Sequence, residues 1–462
     1  MIPARDVLKK LWTDFGHDDA ALTHIDLTGS EPVLPSSFAV GTAMQASVAA
    51  SALAAATIWR VRTGRRQRAG VDMRAAAAAS RSERYLTVKG EAPPELWDRI
   101  AGTYQCGDGR WVRLHTNFPH HRDGVLAILK CAYDKAAVAQ ALRGWTALNF
   151  EDTCAQAKLV VAAMRTFTEW DAHPQGQAIS RPPLLSLEKI GNAGAPQWPK
   201  GDRPLAGIKV LDLTRIIAGP VCGLTLAAHG ADVMLVTSPN LPSIEQLVID
   251  TGRGKLSTHI DLREDAGRKT FEALLCEADV ILQGYRPGGL AELGFGPQDV
   301  ARIRPGIVYV TLCAYGHEGP WASRRGFDSL VQTASGFNAA EAQAAGVNSP
   351  KPLLAQILDR ATGYLMAYGA MSALLRRAAE GGSWHVRASL AQTGYWLRSL
   401  GRIDGLQCKD PTREDVLDCL EDSASGFGRL SVVKHPAAMS ETPPCWQRPT
   451  VPLGTDSPAW PI

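Results

Sequence analysis

The sequence predicts an α/β protein with a nucleotide-type (Rossmann-like) parallel sheet and a smaller α+β domain, on three observations. Ile208, Val210, Leu211 and Leu213 form an apolar run around Asp212, short and β-branched enough for a buried strand. Gly219-Pro220 suits the opening of a helix, and Gly230 the left-handed residue after its end. Asp232 to Thr237, DVMLVT, supplies a second strand, and a crossover this short implies a parallel, right-handed β-α-β unit.

Composition bounds the rest. At 462 residues and 45% hydrophobic content the chain can bury a large core and divide into two or three domains. A formal net charge of +3 gives no support to nucleic-acid or membrane binding. Nine cysteines without a CxxC pair fit reduced thiols and a cytoplasmic protein. The first residues, MIPARDVLKKLWTDFG, carry Asp6 and Asp14 and do not read as a secretory leader. Phe38 to Trp59 is alanine-rich with Ser, Thr and Gln interspersed, which reads as a buried helix rather than a membrane span.

In chain order, Val7, Leu8, Leu11 and Trp12 mark one amphipathic helix. Ser36-Ser37 is placed to cap the alanine-rich helix, which ends near Arg60-Val61-Arg62 before Thr63-Gly64. The arginines at 60, 62, 65, 66 and 68 are read as helix-terminal cations, with phosphate binding the alternative. GDGRWVRL (107–114) reads as a turn and strand, and Trp145 to Trp170 as helical segments. The histidines of HTNFPHH match no zinc spacing, so no metal is expected. Prolines at 182, 183, 196, 199 and 204 mark 182–204 as the best linker.

The turn TRIIAGPVCG contains no GxGxxG, so a nicotinamide or flavin dinucleotide is not implied. The stretch LAGIKVLDLTRIIAGPVCGLTLAAHGADVMLVTS instead resembles the opening of the family III (CaiB/BaiF) CoA-transferases, with Ala228, Leu235 and Thr237 as departures. The resemblance continues through DTGRGKLSTHIDL, QGYRPGGLAELGFG and Arg325-Gly326-Phe327-Asp328. It implies that Arg253, Lys255, Arg263, Tyr285, Arg286, Arg325 and Phe327 contact CoA, with Ile217 and Ala218 in the first turn. Gln283, Gly284 and Glu292 replace the family's Glu, Asn and Arg, leaving Arg286 as the compensating cation.

Asp359 opens the helical pattern QILDRATGYLMAYGAMSALLRR. Read alone it is a helix cap or a partner of the helix dipole. The resemblance makes it the nucleophile of an acyl-CoA:carboxylate CoA-transferase, acting through a covalent aspartyl-CoA intermediate, with the helix N-terminus keeping it ionised. Acyl-CoA and a carboxylic acid are then the partners, and CoA a substrate rather than a resident cofactor. Backbone N–H groups around Ile217-Ala218-Gly219 would meet the oxyanion. An acyl-CoA racemase is the alternative, disfavoured because Phe327 stands where that branch has a proton-exchanging His. A non-catalytic CoA-binding protein is the third reading.

The chain also echoes itself. Laying 358–380 over 41–63 puts Asp359 on Thr42, and a register shifted by two puts it on Met44, so the first copy has no nucleophile either way. The expected division is a degenerate half with a small domain (1–195), a linker (196–204), a CoA-binding catalytic domain (205–400) and a tail packing back on it (401–462). The resemblance implies interlocked ring dimers, an arrangement this chain either satisfies internally or completes as a homodimer.

Overall fold

The computed structural model of the chain describes residues 2–461. Its centre is a seven-stranded sheet. Strand Lys209–Leu213 lies between Asp232–Thr237 and Val280–Gln283, all parallel. Lys255–His259 extends the first side, and Val308–Cys313 then Ser383–Ser389 extend the other. Chain order thus reverses between Lys209–Leu213 and Val280–Gln283, which opens a crevice at the carboxyl ends of these strands. The predicted β-α-β unit is present, with helix Ala218–Ala228 as its crossover and Gly230 at φ +102.

Strand Ser186–Gly191 closes the sheet antiparallel to Ser383–Ser389. This corrects the reading of 182–204 as linker throughout: only its later part is extended chain, because 186–191 finds a free sheet edge. A second correction concerns 145–170, where strand Val161–Ala163 separates helices Ala147–Gln156 and Phe167–Ala172. That strand joins Gly102–Gln105 and Trp111–Leu114 in a small sheet, whose core holds Val112, Leu114, Val125 and Phe150.

Helix Val40–Thr63 is buried along most of its length and packs on helix Ile357–Glu380 inside the main core. Small alanine side chains let two such helices approach closely. It ends on left-handed Gly64, as expected. Ser36 and Ser37 do not cap it: both hydroxyls donate to the buried carboxylate of Glu341, at 2.7 and 3.1 Å. Four of the five arginines near its end are held locally. Arg62 donates to carbonyls of Pro199, Arg203, Pro204 and Ala206, Arg65 pairs with Glu441, Arg68 with Asp26, and Arg66 meets His24.

The internal echo is structural. Helices Val40–Thr63 and Ile357–Glu380 have 24 residues each, and their N-caps share a backbone geometry, φ −74, ψ 61 at Ala39 and φ −77, ψ 59 at Gln356. Thr42 and Asp359 are each the third helical residue, which selects the unshifted register. The same offset carries Asp72 onto Ser389, and each ends a strand and caps the next helix with its side chain. The copies exchange edges: Ser186–Gly191, from the first, pairs with Ser383–Ser389, while Ala437–Met439 pairs with Ala69–Asp72.

Candidate active site

A cleft of about 630 Å³ lies over the carboxyl ends of the sheet, walled on its other side by the small domain. Leu213, Thr237, Gly284, Cys313 and Leu390 mark the strand ends beneath it. Asp359 lines one part of it, and Ala218, Arg263, Tyr285, Arg286, Arg325 and Phe327 line others, so seven of the residues singled out from sequence come together.

Two helix N-termini converge there. Gly363, one turn after Asp359, lets Ile357–Glu380 press against the first turn of Ala218–Ala228; a Cβ at Gly363 would stand 2.6 Å from the Ala218 carbonyl. Gly219 is equally constrained, since its Cβ would fall 2.2 Å from Thr214 Cβ. Between them Ile216 adopts φ +76, a rare conformation for a β-branched residue and one that turns the chain sharply into the helix. Ile217 is the N-cap of that helix and is buried behind the cleft wall rather than lining it.

The carboxyl of Asp359 has no hydrogen-bond donor among the described residues, although the residue is 7% exposed. Its backbone N–H donates to Asp328 Oδ2 at 2.9 Å. Asp328, fully buried, also accepts from the Gln332 amide and the Leu358 N–H, and so caps a helix whose own Gln356 provides no side-chain cap. Burial pushes the Asp328 carboxyl up to about 7, against the pull of these hydrogen bonds and of Arg113. Burial and the neighbouring Asp328 also push Asp359 well above the carboxylate range, while Arg360 pulls it down. Behind the helix, Arg360 is matched by both Glu83 and Asp250, at 2.6 and 2.8 Å, a buried trio that itself adds negative charge.

This corrects the expectation that the helix N-terminus keeps Asp359 ionised. A terminal dipole contributes about 0.3–1 kcal/mol, less than burial beside a second carboxylate takes away. Burial and mutual repulsion raise both carboxyls and disfavour their being ionised together.

Two expected phosphate contacts are also corrected. Lys255 is 3% exposed and donates to Asp212 Oδ2 at 2.9 Å and to the Pro220 carbonyl at 2.8 Å. Lys255 is the first residue of strand Lys255–His259, and its ammonium clamps the first βα turn. Arg253 is as deeply buried: it donates to Glu421 and to the Val433 carbonyl, and lies 3.8 Å from the Trp446 ring centroid. It ties the last sixty residues of the chain to the sheet rather than facing the cleft. Gly254 N–H to Arg448 and Trp460 Nε1 to the Leu274 carbonyl continue that attachment.

The remaining cations differ in how free they are. Arg263 pairs with Asp261, and Arg286 with Glu292 through two bonds of 3.1 and 2.8 Å. Both pairs are solvent-exposed on the arginine side and so weakly held. Tyr285 is half-buried, its N–H donating to Gln283 Oε1. Arg325 is exposed and donates to the Lys158 carbonyl at 3.3 Å.

The small domain contributes residues that the motifs did not flag. The loop after strand Trp111–Leu114 carries His115, and helix Pro119–Leu129 carries His120 and His121. The His115 ring stacks on Phe327, 3.9 Å between centroids and 12° apart. Arg215, His120 and His121 line the cleft beside it. Arg215 was legible only as the variable position after LDLT, and the two histidines only as a failed metal motif.

A crevice at a strand-order reversal, with a carboxyl at a helix start and arginines along its walls, defines an α/β protein of the nucleotide-sheet class. Residues 205–404 match the model of CoA-transferase family III. It is 33% identical over 326 residues to an acyl-CoA transferase of Gibberella moniliformis, covering 65% of this chain and 57% of that protein. It is 37% identical to acetyl-coenzyme A transferase nodX of Hypoxylon pulicicidum, over 46% of this chain and 36% of that one. It is 32% identical to succinyl-CoA:glutarate CoA-transferase of Homo sapiens, over 37% and 41%. The chain thus spans between about a third and three fifths of these relatives' lengths. Among solved structures, Rv3272 of M. tuberculosis aligns with a TM-score of 0.40 at 31% identity, over 43% of this chain and 57% of that one.

Proposed function

We propose that the protein is an acyl-CoA:carboxylate CoA-transferase with Asp359 as its covalent nucleophile. The observation that carries this is the Asp359 carboxyl, at a helix start in the cleft and without a hydrogen-bond donor among the described residues. The match of residues 205–404 to the CoA-transferase family III model, and relatives named for acyl-CoA, acetyl-CoA and succinyl-CoA:glutarate transfer, support the same reading.

An ionised Asp359 oxygen attacks the thioester carbonyl, the C–S bond breaks, and CoA leaves as thiolate. The thiolate then attacks the aspartyl carbonyl of the mixed anhydride and releases the first acid as its carboxylate, leaving an aspartyl-CoA thioester. The acceptor carboxylate runs the two steps in reverse, so no net proton or water is used. N–H groups at Ala218 and Gly219, in a helix turn with no intrahelical acceptors, are the donors for the oxyanion. Tyr285, Arg286 and Arg263 stand at the other strand ends, where CoA would lie.

The test is mass spectrometry after incubation with a panel of acyl-CoAs and hydroxylamine, for wild type and Asp359→Ala. A hydroxamate on Asp359, absent from the variant, is expected. CoA binding with no adduct from any donor would favour a non-catalytic CoA-binding protein.

A further inference from the structure

His121 is 4% exposed against the cleft, and neither of its ring nitrogens has a partner among the described residues. A buried polar group left unpaired costs free energy, so a position that keeps one is explained when a ligand completes it. Two guanidinium groups stand in the same wall outside any ion pair of the described residues. Arg215 lies 5.2 Å from the Phe118 ring centroid and donates to the Pro242 carbonyl, and Arg325 reaches only the Lys158 carbonyl. The other cleft arginines are matched by carboxylates: Arg263 by Asp261, Arg286 by Glu292, Arg324 by Glu151.

Burial, His120 and these two arginines hold His121 neutral, its pKa lowered to about 3. A neutral imidazole donates through one nitrogen and accepts through the other. Phe118 and Phe327 flank it, with centroids 6.0 and 6.3 Å away, and both line the same cleft as Asp359. On the transferase reading the reacting end of a substrate goes to Asp359, which lines the cleft with the buried Asp328 against its backbone. A second negative charge is repelled from there and drawn to the opposite wall.

We propose that His121 and Arg215 receive a carboxylate at the far end of the acyl chain, so that the protein selects dicarboxylic over monocarboxylic acids of equal length. The role of the reacting end rests on the transferase reading; the anion wall itself does not. The chemistry recognised is that of an oxyanion, which a CoA phosphate shares.

Calorimetric titration of the full chain with glutarate, valerate and coenzyme A, for wild type, His121→Phe and Arg215→Met, reads binding without turnover. Wild type is expected to bind glutarate at least about ten-fold tighter than valerate, with the preference lost in both variants and CoA affinity little changed. Equal binding of the two acids, no binding of either at millimolar concentration, or a preference that survives both substitutions overturns the proposal. Loss of CoA affinity in place of glutarate affinity also overturns it, by giving the wall to a CoA phosphate. His121→Phe keeps an aromatic ring while removing the unpaired nitrogens, and Arg215→Lys, which keeps the charge, should retain part of the preference if Arg215→Met proves unstable. Glutarate preference without acyl transfer to any acid would remove the transferase reading and leave this one standing.

Discussion

Asp328 caps the helix that Asp359 opens, accepting the Asp359 backbone N–H at 2.9 Å while crowding its side chain with a second buried carboxyl. One residue therefore both positions Asp359 and raises the pKa of its carboxyl. On the transferase reading, the expected consequence is a kcat/KM that rises with pH through an apparent pKa well above the usual carboxylate range. Asp328→Asn keeps one cap acceptor and removes the charge, so the rising limb should move down by about one unit or more. A pH–rate profile of the two proteins checks this; an unmoved limb would mean the pair is not coupled.

The same carboxyls set a pH dependence of stability. With Asp328 raised from 3.8 to about 7, the folded chain binds more protons than the unfolded chain between those values. Stability contributed by this site is then greatest at the acidic end and falls as pH rises through the window. Asp328→Asn should flatten that slope in urea titrations at pH 5 and 8.

Asp359→Asn should abolish transfer, by about a thousand-fold or more, while raising the melting temperature above pH 7. The amide relieves like-charge crowding without changing shape. Loss of activity together with loss of stability would point to a structural role for Asp359.

Lys255→Met should unfold rather than merely weaken CoA binding. It strands Asp212, which is completely buried and also holds Thr214 N–H at 3.0 Å. Breaking such a pair from one side costs about 3–5 kcal/mol. A urea midpoint far below wild type, with CoA affinity intact in the folded fraction, is the outcome to look for.

Glu292→Ala should tighten CoA, since it frees Arg286 from an exposed pair worth about 0.2–1 kcal/mol. The gain is at most about five-fold in Kd, read by titration at low ionic strength and reduced by added salt.

Part of this was legible in residue order. The opening β-α-β unit and the place of Asp359 at a helix start follow from apolar period, glycine position and motif. What escaped was direction. Arg253 and Lys255 carry the right charge in a glycine turn, yet both point inward, because Asp212, Glu421 and Trp446 lie more than twenty residues away in sequence. His121 looked idle because its neighbours, Phe327 and Arg215, arrive from the other domain. Nor does a sequence show that Asp359 must share its surroundings with Asp328, thirty-one positions earlier.

The crossed pairing of Ser186–Gly191 with Ser383–Ser389 and of Ala437–Met439 with Ala69–Asp72 bears on how the chain could ever be divided. Cutting near residue 200 and separating the pieces would strip the outer strand from both sheets at once. Each fragment would carry a raw row of unpaired N–H and C=O groups, a template for filament growth. The two pairings therefore guard both sheet edges against aggregation within one covalent chain.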